Sequence, residues 1–519
     1  MTERYDAVVV GGGPNGLTAG ITLARAGRSV LLVEAAPALG GATATEELTL
    51  PGFHHDVFSA VHPAAVASPV FAELELELEY HGLRWIHPDL AMAHPLPDGR
   101  AAVLDRDLAR TVASLDALAD GDGRRWRDAV EPYLRHYEAV RATMLAAFPP
   151  VAGPARLVPA LRIQGLLEFA RLLLLSAEAF AGERFAGEGA AAWLYGSSLH
   201  GDAPLDAAGS AIAGLWLSIM GHAGGWPSPA GGAGRIADAL AGCLRAHGGV
   251  TRVGVRAERL RVQRRRVTGV ELADGSAIAT RTVVATTTPH GLLRLAGDAL
   301  GDAYTRRAMR FRYGAQTMKL DWALDAPIPW ESEDARRAGT VHVGGTAAQV
   351  RASLLEVAGG ALPQHPFLLS GQQSIADPSR APAGKHTAWA YTHVPAGVDW
   401  SAERERFADV IERQLDRFAP GFRDVVLARH VMAPGDLERR NENLVGGDVG
   451  GGSYGLDQLI FRPVPSLNPY ATPVRGLFIG SASAFPGGAV HGVPGHAAAR
   501  AALREARIPR LPELPRLRG

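Results

Sequence analysis

Residues 5–34 read Tyr5-Asp6-Ala7-Val8-Val9-Val10, then Gly11-Gly12-Gly13-Pro14-Asn15-Gly16, a helix-like run to Gly27, and Ser29-Val30-Leu31-Leu32-Val33-Glu34. The pattern is a buried strand, a G-x-G-x-x-G turn, a helix, and a second strand that ends on an acid. Gly11 permits the tight turn, Gly13 leaves room for a pyrophosphate, and Gly16 lets the helix lie close on the strand. The helix N-terminus offers unpaired N–H groups to the phosphates. Glu34 lies 18 residues past Gly16, near the spacing of about 20 at which an acid meets the ribose. Gly20 and Gly27 add small residues where the helix and strands pack. These residues predict a bound dinucleotide.

Working outward, 519 residues exceed one simple core, so two or three domains are expected. Lys plus Arg equals Asp plus Glu at 53 each, which removes the net positive field expected of a nucleic-acid binder. The densest basic run, Arg261-Val262-Gln263-Arg264-Arg265-Arg266, reads as the cap of an exposed hairpin. The single cysteine, Cys243, excludes a dithiol redox mechanism. Met1 to Arg4 leads straight into the first strand, so the cytoplasm is the expected compartment. No apolar run reaches 18 residues, so no membrane-crossing helix is expected. The leucine-rich run over residues 166–175 reads as a helix covering a substrate domain, or as an interfacial helix giving peripheral membrane contact.

Residues 105–220 read as mostly helical. Gly231-Gly232-Ala233-Gly234 opens a helix to His247, followed by strand patterns at 250–255 and 282–285 and a hairpin at 259–272. Strands dominate 313–394, and residues 402–418 form an amphipathic helix. A short strand spans 476–480, and a last helix spans 496–506. The expected fold class is α/β: a discontinuous Rossmann-like nucleotide domain (1–75, 228–300, 425–506) with an inserted α+β substrate domain (76–227, 301–424) and a tail at 507–519.

Several motifs together resemble the phytoene desaturase-like flavoprotein oxidoreductases. They are the N-terminal fingerprint with Glu34 and Gly40-Gly41, and Gly225-Trp226-Pro227 before Gly231. Near the end they are Leu444-Val445-Gly446-Gly447-Asp448, Arg462-Pro463, Pro486-Gly487-Gly488 and Pro494-Gly495-His496. The superfamily holds carotenoid desaturases, ketolases and retinol saturases. It also holds the group named pyridine nucleotide-disulphide oxidoreductase domain-containing protein 2, which the last motifs resemble most. The resemblance implies FAD and an amine oxidase/phytoene desaturase-like fold. It places Gly11, Gly13, Pro14, Asn15 and Gly16 at the pyrophosphate, Glu34 and Ala35 at the adenosine ribose, and Gly40, Gly41, Ala42 and Thr43 along the ribityl chain. It places Val255 at the adenine edge and Gly480, Ser481, Gly488 and Val490 around the flavin. The last helix would point its N-terminus at the flavin pyrimidine and stabilise charge developing on reduction by about 0.3–2 kcal/mol. Ser481, Phe485 and His491 depart from the family pattern beside the flavin.

With no second glycine fingerprint, oxygen or a quinone is the expected electron acceptor. His62 and His491 are the candidate catalytic bases, with His200 and His222 behind them. Tyr454, Phe461 and Trp389 are candidate members of an aromatic cage. His54-His55-Asp56 lacks metal-ligand spacing, so no metal is expected, and no nucleophile elbow surrounds Ser453. The expected function is flavin-dependent dehydrogenation of a hydrophobic small molecule such as an isoprenoid. The alternatives are an amine oxidase that releases hydrogen peroxide and a FAD-stabilised scaffold with little turnover. The substrate and the oligomeric state stay open.

Overall fold

Five short apolar segments from three distant parts of the chain share one parallel sheet. The computed structural model describes residues 3–507, and the sheet order is Val250–Arg252, Val30–Val33, Ala7–Val10, Val283–Ala285, Leu477–Ile479. Every pairing is parallel, and the three central strands are buried on both faces, which is why they read as unbroken runs of Val, Leu and Ala. On one face Ala7, Val9, Val30 and Leu32 pack against the helices Pro14–Arg25, Gly234–Ala246 and Val493–Arg507. On the other, Val8, Val10, Leu31 and Val33 pack against Val267, Val270, Leu292 and Leu295. Arg264 and Arg265 turn the adjoining hairpin, exposed and with positive φ of 47° and 56°.

A second, seven-stranded sheet runs Val426–Met432, Gln316–Leu324, His386–Val394, Leu368–Gly371, Ala338–Val343, Leu90–Pro95, Ala101–Leu104. Side chains alternate across it. Met318, Leu320, Trp322, Leu324, Ala388 and Ala390 face Phe407, Ile411 and Leu415 of the helix Trp400–Asp416. The intervening residues Thr317, Lys319 and Asp321 stand opposite His393, Tyr391 and Trp389 and face the other way.

Three boundaries differ from the sequence expectation. Val426–Met432 pairs with Gln316–Leu324, so the stretch from 425 enters the seven-stranded sheet before the chain returns to the nucleotide sheet. Its alternating pattern carries no mark of which sheet it joins. The last helix begins at Val493 rather than His496, because Pro at the second helical position suits a helix start. The leucine-rich run belongs to Ala152–Leu172, a segment broken at Arg162, where φ is 57°. Leu166, Phe169 and Leu172 lean on the helical core, while Ile163, Leu167 and Leu174 stay exposed. Among the described residues no helix is long and apolar enough to cross a membrane. The tail expected at 507–519 lies, from 508 on, outside the described residues.

Candidate active site

Two glycines of the fingerprint, Gly11 and Gly16, are needed because there is no space for anything else. A Cβ on Gly16 would lie 1.8 Å from the Gly11 carbonyl oxygen, and one on Gly11 would lie 2.3 Å from Thr286 Oγ1. A Cβ on Gly41 would come within 2.9 Å of Gly13 Cα, so the second glycine pair closes over the first. The Glu34 carboxylate is fixed by the N–H groups of Gly12 (2.6 Å) and Ala36 (2.8 Å). It keeps lone pairs for hydroxyl donors. Val255 donates its N–H to the Glu34 carbonyl at 3.1 Å, which sets it beside that acid. Ala35 is exposed there, Pro14 starts the first helix without an acid in its first turn, and Asn15 Oδ1 is buried with no partner. Ala42 accepts from the Ser59 hydroxyl at 2.7 Å, and Thr43 bonds back to Gly40.

The far end of the chain closes on the same place. Thr18 Oγ1 lies 3.0 Å from the Gly492 carbonyl, and Thr22 Oγ1 lies 3.0 Å from His496 Nδ1, each pair 474 residues apart. A Cβ on Gly495 would lie 1.8 Å from the Asn15 carbonyl, and one on Gly480 would lie 3.1 Å from Gly495 Cα. Two helix N-termini therefore meet at one pole, where their dipoles favour an anion. Ser481 and Val490 are buried on this loop. A Cβ on Gly488 would lie 2.1 Å from the Gly450 carbonyl and 2.9 Å from the Tyr454 hydroxyl.

Neither histidine singled out as a base opens onto a reaction space. His491 bonds Gly488 O through Nε2 (3.0 Å) and accepts the Val493 N–H on Nδ1 (3.2 Å). Both nitrogens serve the backbone of residues 488–493, so Nε2 carries the proton. Burial holds its pKa down to about 4. His62 meets Ser59 Oγ through Nε2 at 3.2 Å and leaves Nδ1 buried without a partner. It caps a short helix at 2% exposure, and burial pushes its pKa down to about 4 while Asp56 pulls the other way. His222 is likewise bonded, to Asp105 O and Trp126 Nε1.

A different group of residues is deep without being sealed. His200, Tyr391, His393 and Tyr454 lie deep in the protein, yet each keeps accessible surface. His393 adjoins both His200 and Asp202, and Tyr391 adjoins Tyr454. Asp202 accepts the Tyr454 N–H at 2.7 Å. Tyr391 and His393 come from the inner face of the seven-stranded sheet, His200 follows the helix Glu188–Ser198, and Tyr454 touches the flavin loop at Gly488. His200 meets His342 Nε2 to Nε2 at 3.0 Å, and burial lowers the pKa of His200 to about 3. His393 is lowered by burial and raised by Asp202. Behind Tyr454 stands Arg462, fully buried, its guanidinium 5.4 Å from the Tyr454 ring. Of the three aromatics expected to form a cage, only Tyr454 belongs to this group. Trp389 stacks on Tyr391 at 6.1 Å and donates to Gln373, and Phe461 is half exposed to the outside.

The family profile described as "Flavin containing amine oxidoreductase" matches residues 15–507. The chain belongs to this family. This flavin-containing oxidoreductase is 28% identical to the rat protein named pyridine nucleotide-disulfide oxidoreductase domain-containing protein 2, over 97% of this chain and 94% of that protein. It is 24% identical to one of the subunits of limonene dehydrogenase from Castellaniella defragrans, over 97% and 95%. Among solved structures it resembles an oxidoreductase from Methanosarcina mazei (TM-score 0.62, 17% identity, 97% and 100% covered). It also resembles cyclohexylamine oxidase from Brevibacterium oxydans (TM-score 0.57, 16% identity, 97% and 98% covered). The enzyme is a FAD-dependent oxidoreductase. Its residues fit that cofactor: the cradle tolerates no side chain at Gly11, Gly16 or Gly41, and Asn15 Oδ1 stands orphaned beside it.

One cluster went unread in the flavoenzyme's sequence. Lys319 Nζ contacts both Asp321 oxygens (2.5 and 2.6 Å) and the Asp56 carbonyl (3.1 Å). The Asp56 carboxylate pairs with Arg380 at 2.7 Å and accepts from Thr45 and Ala233. His55 lies 3.8 Å from Asp321. Burial pushes Asp321 up to about 6 against the pull of Lys319, and His55 down to about 3. The cluster ties the inner face of the sheet to the hairpin Thr45–Glu46/His55–Asp56 and to the loop before Gly234–Ala246. Among the described residues no group of histidine, cysteine and carboxylate side chains is placed to hold a metal.

Proposed function

We propose that this flavoenzyme dehydrogenates a small molecule at a carbon bearing a hydroxyl or amino group. One observation carries the reading: on the inner face of the seven-stranded sheet, deep polar side chains keep accessible surface and find no partner in the protein among the described residues. Among the described residues the side chains of Tyr391 and His393 make no protein hydrogen bond and keep accessible surface, and Thr317 Oγ1 is buried with no partner on the same face. A buried polar group facing hydrocarbon costs about 1–3 kcal/mol. A polyene filling a chamber on this face would meet several such groups, whereas a hydroxyl or amine would satisfy them. The purely apolar substrate expected from sequence therefore suits these walls less well than a polar one.

When bound, FAD supplies a two-electron acceptor. The chain's own contribution is to hold the donor carbon and manage the departing proton. His393 offers a neutral nitrogen for that proton, with Asp202 to raise its basicity, and the neutral His200 ring stands beside it. Tyr454 orients the substrate edge nearest Gly488. Oxygen or a quinone completes the cycle as acceptor. The test is anaerobic bleaching of the bound flavin by panels of alcohols, amines and detergent-solubilised terpenes and carotenes. Bleaching by alcohols or amines supports the reading. Bleaching by hydrocarbons alone overturns it.

A further inference from the structure

Two neutral imidazoles that meet through the same nitrogen cannot share a tautomer. His200 Nε2 and His342 Nε2 are 3.0 Å apart, so one must carry its proton there and the other must accept it. Burial keeps both uncharged. The decision falls to His342, whose Nδ1 is buried with no partner. That nitrogen faces the backbone of the helix Glu188–Ser198 so closely that a Cβ on Gly196 would lie 2.6 Å from it. A trapped N–H is rarer and more costly than an unused lone pair. The Nδ1 of His342 is therefore bare, and its proton sits on Nε2, donated to His200. The proton of His200 is then on Nδ1, which has no protein partner and is not sealed off.

We infer that His342 fixes the tautomer of His200, making its Nδ1–H a positioning donor for a neutral oxygen or nitrogen acceptor on the substrate. This rests on the chamber being the substrate site. The surroundings support a fixed neutral pair. His94 flanks His342 and bonds Gly345 O, His393 flanks His200, and Trp226 packs 5.3 Å from the His200 ring. Asp202 acts on His393, not on either ring of the pair. Gly196 has a role in this scheme: any side chain there would displace His342 and release His200.

The test uses holoenzyme labelled with nitrogen-15 in its histidines. Magnetic resonance should show one Nε2–Nε2 coupling across a hydrogen bond, joining a ring protonated at Nδ1 to one protonated at Nε2. Two variants assign it. His342→Gln keeps an N–H donor towards His200 and should leave substrate-driven flavin reduction nearly intact. His342→Leu removes the donor and should slow reduction about tenfold, with FAD absorbance unchanged in both. Equal loss in the two variants, absence of the coupling, or the reverse tautomers would overturn the assignment. If His342→Leu fails to fold, the wild-type spectrum decides alone. If no compound in any panel bleaches the flavin, the proposed function fails while the tautomer measurement still stands.

Discussion

The two faces of the seven-stranded sheet are built from the same strands and hold opposite contents. One presents Met318, Leu320, Trp322, Leu324, Ala388 and Ala390 to a helix and seals them completely. The other presents Thr317, Lys319, Asp321, Tyr391 and His393, with His342 further along, to the nucleotide half. The first face is core, where packing supplies the stability. The second carries charge, neutral histidine and unpaired hydroxyls, a set that costs stability unless something polar occupies the chamber. A strand period of two lets one segment serve both ends at once.

Acid separates the faces most sharply, because only one of them titrates. Burial pushes His55 to about 3, His94 to about 4 and His200 to about 3, and lowers His342 as well. An unfolded histidine titrates near 6.5. Between these values the unfolded chain binds more protons, so the stability present above pH 6.5 is lost as pH falls. Each histidine contributes about 1.4 kcal/mol per pH unit. Asp321, raised to about 6, has the opposite sign: protonation below pH 6 relieves its burial. Four histidines outweigh one carboxylate. The melting temperature should fall steeply from pH 6.5 to 5, with uptake of several protons on unfolding measured by calorimetry in buffers of different ionisation heat. A flat profile would mean that these rings are solvated.

The outer face should yield to volume instead. Trp322 is fully buried, packs edge-on to Phe422 at 5.3 Å, and donates to Glu412 at 2.9 Å. Trp322→Ala should cost about 3–5 kcal/mol, read by denaturant titration, and more if Glu412 is left without a donor. The folded fraction should retain FAD absorbance. Loss of flavin binding at unchanged stability would show that the two faces are not separable.

Legibility followed the same division. The glycine turn was readable because Gly11 to Gly13 are contiguous and Gly11 and Gly16 each have a steric reason, such as the 1.8 Å that a Gly16 Cβ would leave. Glu34 was readable from spacing alone. The convergence of the two chain ends came through the resemblance, not through any local pattern. The chamber was hidden because its walls come one residue at a time from 200, 391, 393 and 454. A signal was nonetheless present. In Met318-Lys319-Leu320-Asp321-Trp322 the charges fall on one parity and the apolar residues on the other, and Trp389, Tyr391 and His393 continue that parity across the sheet. Alternation inside a fully buried strand marks a polar interior, not a solvent face. His62 and His491 lie near motifs, yet Ser59 Oγ and the Gly488 carbonyl of those same loops are what claim them.

Tyr391→Phe sharpens the comparison from the inner side. The hydroxyl has no protein partner and faces the chamber, and burial raises its pKa. Its removal should leave the denaturation midpoint nearly unchanged. It should also weaken binding of the substrate that bleaches the flavin about tenfold, the worth of one neutral hydrogen bond, measured by the concentration dependence of anaerobic reduction. Unchanged binding would place the substrate elsewhere in the chamber.

Thr317→Val should give the smallest effect, and its sign is what matters. Thr317 stands opposite His393, buried at 1% exposure, with Oγ1 unpaired. On the outer face a hydroxyl replaced by an equal-sized methyl would bring a clear gain, because an orphaned donor there meets only hydrocarbon. On the inner face the hydroxyl is itself sealed but stands opposite His393, which keeps accessible surface. If the chamber is dry in the resting enzyme, valine should stabilise the fold by up to about 1 kcal/mol. If an ordered water already bonds Oγ1, the gain vanishes or turns into a loss of similar size, since a bridging water is nearly as good as a direct bond. We expect a gain of a few tenths of a kcal/mol, smaller than a dry site would give, because neighbouring His393 makes no protein hydrogen bond and keeps accessible surface. Thermal denaturation of the holoenzyme with and without saturating substrate separates the cases. A stabilisation that persists unchanged with substrate bound would detach Thr317 from the chamber and return it to the core.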